Sequence, residues 1–72
     1  MRKLKRLANK HGCTVEDYGD SIVVTAPEGH EFSSCGTTVL VEEYGEWCSR
    51  GDAIKSITED IEYGIDERVQ HE

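Results

Sequence analysis

The stretch from Ser49 to Ile65 constrains this chain most. Ser-Arg-Gly-Asp at 49–52 reads as a capping box with Asp in the Glu/Gln place. The Ser49 hydroxyl accepts from the amide three residues on, and the Asp52 carboxylate reaches back to the Ser49 amide. Behind this cap Ala53, Ile54, Ile57, Ile61 and Ile65 recur with the helical period and form one apolar stripe. Gly64 supplies the residue without a Cβ that a helix C-terminus prefers, with Ile65 beyond it as the hydrophobic partner of that cap. A helix with one apolar face has to bury it, and the β-branched middle of the chain is the only surface on offer.

That middle is punctuated by turns. Cys13–Tyr18 and Ser21–Ala26 are β-branched runs separated by Gly19-Asp20, a tight-hairpin signal, with Ile22, Val24 and Ala26 alternating to one face. Pro27-Glu28-Gly29 predicts a second hairpin, whose returning strand is His30–Ser34 with Phe32 inward. Cys35-Gly36 interrupts it as a bulge or short loop, and Thr37–Tyr44 reads as a further strand with Val39 and Val41 on one face and Leu40 on the other. At the start, residues 2–11 form a short amphipathic helix with Leu4, Leu7 and Ala8 on one side, stopped by Gly12. The order is α–β–β–β–(β)–α: an α+β two-layer sandwich, an antiparallel meander with both helices on one face. Ile54, Ile57 and Ile61 are expected to bury against Val24, Phe32 and Val39. The polar end, residues 66–72, is expected to fray.

Seventy-two residues make one domain, spanning 1–72, close to the smallest size at which a single core is stable alone. Little chain is left to wall off a deep cleft, so no enzyme is expected. No apolar run is long enough to span a membrane. The opening Met-Arg-Lys-Leu-Lys-Arg lacks the apolar segment of a secretory signal, which predicts a cytoplasmic protein. Cys13, Cys35 and Cys48 are then free thiols, mostly buried.

The net charge of −7 conceals a segregation. Arg2, Lys3, Lys5, Arg6 and Lys10 crowd the first ten residues with no acid among them, and the remaining three cations face all fifteen acids, a net of −12. The body of such a chain repels nucleic acid and anionic membranes, and only the first helix attracts them.

Four constellations bear on chemistry. His11, Cys13, His30, Cys35 and Cys48 are zinc ligands by type, but the spacings H-x-C and H-x₄-C do not form a knuckle, so no metal and no cofactor is expected. No elbow, oxyanion loop or orienting third residue accompanies a Cys–His pair, so no nucleophilic thiol is expected either. The glycines at 12, 19, 29, 36, 45, 51 and 64 punctuate element ends and build no phosphate loop; the helix N-terminus at Gly51 already has Asp52 in its field. The fourth constellation is an acidic face. Asp52, Glu59, Glu62 and Asp66 fall together on the last helix, away from the isoleucines and relieved only by Lys55. Glu42, Glu43 and Glu46 extend it, and Tyr44 and Trp47 mix aromatic surface with the charge, as binding surfaces do.

In element order and length the chain resembles a double-stranded RNA-binding domain. That family binds RNA with lysines at the start of its second helix, where this chain has Cys48-Ser-Arg-Gly-Asp52, so the function does not carry over. A second resemblance covers most of the chain. The basic Leu4/Leu7 helix, the Ser21–Ala26 strand running into Ala-Pro-Glu-Gly-His-Glu-Phe32, the Cys35-Gly-Thr37 break and the closing helix with Arg50, Asp52-Ala53, Glu59-Asp60-Ile61 and Gly64 look like the small accessory proteins of actinobacterial bacteriophages. It implies a phage product working in the host cytoplasm and brings no catalytic residues with it. The sequence thus predicts a non-enzymatic binding protein that docks an acidic and aromatic surface on a basic host or phage protein, imitating DNA where that partner handles nucleic acid. The alternative is a nucleic-acid-associated protein using the N-terminal basic helix.

Overall fold

The computed structural model of the protein describes residues 1–67. The elements follow as α1 (Arg2–Lys10), β1 (Thr14–Asp17), β2 (Ser21–Thr25), β3 (His30–Phe32), β4 (Val39–Glu43), α2 (Arg50–Tyr63) and β5 (Ile65–Glu67). The class is the expected one, α+β with antiparallel sheets. The main sheet has three strands in the order β1–β2–β4, and both helices lie on its inner face, α2 over β4 and β2, α1 beside α2 and over β1.

The core forms where the two layers meet. Leu4 and Ala8 of α1, Ile22 and Val24 of β2, Phe32 of β3 and Ala53, Ile57 and Ile61 of α2 are all buried. Ile54 is only partly buried, at the edge of the stripe. The predicted cap forms on one side: Ser49 Oγ accepts from the Asp52 amide at 3.1 Å. The reciprocal bond from Asp52 is not made among the described residues, so Asp52 serves the helix through its charge in the first turn.

Three expectations about the sheet need correction. The second hairpin does not return along β2. Its turn closes, with the His30 amide on the Pro27 carbonyl at 3.0 Å, but β3 leaves the main sheet. The chain then folds back on itself, Phe32 and Thr37 bridging, and β4 takes the place beside β2 with Ala26 N donating to Thr38 O at 2.8 Å. The five-residue β4 offers β2 a longer ladder than the three-residue β3 does.

The second correction concerns which face of β4 points inward. Val24 stands opposite Leu40, and Thr25 opposite Val39. Successive strand residues alternate between faces, so Leu40 shares the buried face of Val24 while Val39 and Val41 stand on the other side. Leu40 is 8% exposed, against 41% for Val39 and 56% for Val41. Isoleucines of α2 therefore meet Leu40 and not Val39.

The third correction is at the end of α2. The helix stops at Tyr63, and Gly64, at φ +134°, turns the chain into β5. A side chain would be strained at that φ. Ile65 therefore does not continue the helical stripe. It pairs with Phe32, Asp66 with Glu31 and Glu67 with His30, while Ser33 N donates to Gly64 O at 3.0 Å. This two-stranded sheet occupies part of the segment expected to fray; residues 68–72 lie outside the described residues. Cys13 is buried and Cys48 partly so, but Cys35 is exposed.

Candidate functional site

The candidate residues come from α2, β4, β5 and the loop that joins β4 to α2. On α2, Asp52, Glu59 and Glu62 are all exposed on the side away from Ile57 and Ile61, with Lys55 and Tyr63 beside them. At 1.5 Å per residue this acidic row runs roughly 15 Å along the helix. Asp66 does not belong to it. It sits on β5 and accepts from Ser33 Oγ at 2.7 Å, because the helical period ends at Gly64.

The strand β4 divides its two acids. Glu42 lies on the helix side and accepts from Ser56 Oγ of α2 at 3.1 Å. Glu43, opposite Ser21, lies on the outer face and is exposed. Beyond β4 the loop is clamped by the Gly45 amide donating to the Cys48 carbonyl at 2.7 Å, which leaves Glu46 and Trp47 at its tip. Trp47 is 93% exposed. Gly45 has φ +137°, a region that disfavours any side chain, so the loop leaves β4 at an angle that glycine permits.

Tyr44 is held in place from β1. Its hydroxyl donates to Asp17 Oδ1 at 2.8 Å, and Arg50, the first residue of α2, reaches Asp17 Oδ2 with Nε and Nη2 at 3.3 and 3.2 Å. The Gly19 amide adds a bond to Oδ1 at 2.9 Å. That amide first, then the Tyr44 hydroxyl and the Arg50 guanidinium, keep the Asp17 carboxyl below the usual carboxylate range. The same carboxylate raises the Tyr44 phenol and so keeps it a donor. Neither Asp17 nor Arg50 was a sequence candidate. Asp17 lies 27 residues before Tyr44, and Arg50 looked like part of a cap, so no local pattern marked the three as a cluster.

Glu43, Tyr44, Glu46, Trp47 and Cys48 line a shallow depression of about 240 Å³ at this end of the molecule. The cations of α1, Arg2, Lys3, Lys5, Arg6 and Lys10, are all exposed. The one ion pair among the described residues is Arg50–Asp17, so neither the acids of the depression nor the cations of α1 are neutralised within them. Another shallow depression, lined by Lys5, Asn9, Cys13, Thr14 and Val15, lies beside α1.

The thiols differ chemically. Burial pushes the Cys13 thiol up, whereas the Thr37 hydroxyl, 3.2 Å from the Cys35 sulfur, lowers Cys35. Among the described residues no group of three or more His, Cys, Asp and Glu side chains is placed to hold a metal ion. No described helix is long and apolar enough to cross a membrane. No known protein family, curated protein or solved structure matches this chain.

Proposed function

We propose that this protein is a non-enzymatic binding protein that docks its acidic and aromatic surface on a protein with a basic surface. The observation that carries the reading is Trp47. The only tryptophan of the chain stands almost wholly in solvent at the tip of a clamped loop, next to Glu46 in the chain. An indole left in water loses its apolar transfer energy. Covering its roughly 150–250 Å² at about 25 cal/mol per Å² yields up to ~4–6 kcal/mol, enough for one anchor of a specific interface. Asp52, Glu59 and Glu62 add a charged rim that speeds encounter with a basic partner.

The resemblance to actinobacterial phage accessory proteins supports a host or phage protein of the host cytoplasm as that partner. A basic surface that ordinarily takes nucleic acid fits, and the acidic face then imitates DNA. The test uses immobilised wild type, Trp47→Ala and the double reversal Glu59→Lys/Glu62→Lys as baits in host lysate. Wild type is expected to retain a basic protein that moderate salt releases, and each folded variant to lose it. Folded variants that retain the same protein unchanged would sink the proposal. Asp66 is left alone in this design because its carboxylate serves the β3–β5 sheet.

A second reading has one observation in its favour: the five exposed α1 cations, unpaired among the described residues. On that reading the chain holds nucleic acid through α1. Heparin chromatography separates the two, since a protein docking by its acids flows through, whereas an α1 binder is retained and elutes with a steep salt dependence.

A further inference from the structure

We propose that the depression at the β4–α2 junction receives an arginine side chain of the partner. The proposal rests on the docking role of this surface and names the group recognised there. Its lining combines two features that suit a cation. Tyr44 and Trp47 offer aromatic faces, and Glu43 and Glu46 offer carboxylates that no described residue neutralises. Arg50, two residues past the lining, is already committed to Asp17 with both Nε and Nη2, and no described cation pairs with Glu43 or Glu46. The field of the depression is therefore negative.

Half of the site is fixed and half is free. Tyr44 is half-buried, and its hydroxyl is held by Asp17, so its ring needs no ordering when a ligand arrives. Trp47 is exposed and can close over whatever enters. A guanidinium suits this arrangement better than an ammonium. It is planar, stacks on aromatic faces, sheds water more easily and presents a fork of donors to a carboxylate. A neutral side chain of the same shape, such as a ureido group, can still donate to a carboxylate but loses the charge that makes the bond strong.

The chain carries its own reporter, because its single tryptophan belongs to the site and its emission answers for that residue alone. Purified protein is titrated with N-acetyl-arginine methylamide, the lysine analogue and the neutral citrulline analogue, following Trp47 emission. A saturable change with the arginine probe, a weaker one with lysine and a much weaker one with citrulline is the expected result. Glu43→Gln/Glu46→Gln, both at exposed positions, is expected to weaken arginine binding about tenfold or more, the loss of at least one charge-assisted hydrogen bond. Circular dichroism confirms that the variant is folded, and amide shifts of residues 43–48 give a second reading of occupancy.

An unsaturable response, an equal response to citrulline, or undiminished affinity in the double variant overturns the proposal. Lysine binding as tightly as arginine overturns the assignment to a guanidinium. A change in Trp47 emission with protein concentration alone would make α1 of a second copy the occupant, and also overturns it. Because the titration needs no partner, its outcome is independent of lysate capture. A pocket that takes no arginine leaves docking by the α2 acids standing, and a pocket that takes arginine without any captured protein removes the docking role only.

Discussion

The register of β4 makes a sharp energetic prediction, because two neighbouring apolar side chains on one strand stand on opposite faces. Leu40 is 8% exposed and shares the inner face with Val24; Val41 is 56% exposed on the outer face. Leu40→Ala removes three buried carbons, about 2.4 kcal/mol at ~0.8 kcal/mol each, and leaves a cavity beneath α2 that adds to the loss. The expected cost is roughly 3–4 kcal/mol. A chain of this size is expected to have about 4–11 kcal/mol in all, so this variant loses from roughly a third to nearly all of it. Val41→Ala removes two carbons that are less than half buried and lowers strand propensity, which together cost about 0.5–1 kcal/mol. Urea unfolding measures both, provided that the signal is far-UV circular dichroism. Trp47 is solvated already in the folded state and reports little of the transition. At unchanged slope the midpoint shift gives the difference directly. Equal losses in the two variants would refute the register and the burial argument together.

Other expectations follow from the remaining contacts. Ser49→Ala removes the hydroxyl that accepts from the Asp52 amide, and thermal unfolding should show a loss of about 1 kcal/mol, with Ser49→Asp recovering it. Asp17 has a lowered folded pKa, so its contribution to stability is present above the ordinary carboxylate value near ~4 and is lost as pH falls through the folded one. Asp17→Asn should therefore flatten the acid limb of the stability–pH curve and leave its neutral limb parallel to wild type. Thiol labelling of the native protein at mildly alkaline pH should modify Cys35 first and Cys13 last, since Cys35 is exposed and lowered while Cys13 is buried and raised. Cys35→Ser should remove the fast phase.

The parts of the fold that were legible rest on local chemistry. Ser49 and the isoleucines marked α2, Leu4 and Ala8 marked α1, and Gly19-Asp20 marked the first hairpin; each signal lies within the element it specifies. The misread parts depend on which segments meet. Val-Leu-Val at 39–41 alternates equally well either way, and only the pairing of Val24 with Leu40 decides its parity. His30–Phe32 finds its partner in Ile65–Glu67, across the whole of β4 and α2, and no turn signal links them. Asp66 fits the helical period of α2 only if that period runs through Gly64, where the backbone turns out of the helix. The acids of α2 were legible as a face for the same reason that Asp66 was not: a period holds only while its helix lasts.

The candidate surface gains its rigidity from residues that do not belong to it. Asp17 ends β1, Tyr44 follows β4 and Arg50 begins α2, so one carboxylate ties three segments around the loop that displays Glu46 and Trp47. The tie is exposed, and an exposed ion pair adds little to global stability. Its value lies in order. A partner that meets a loop already clamped at Gly45 and Cys48, beside a ring already fixed by Asp17, spends less of its contact energy on immobilising side chains. In the proposed docking, recognition falls to Trp47, the one large side chain of the cluster that the fold leaves uncovered, and to the acids around it, whose charge no described cation cancels.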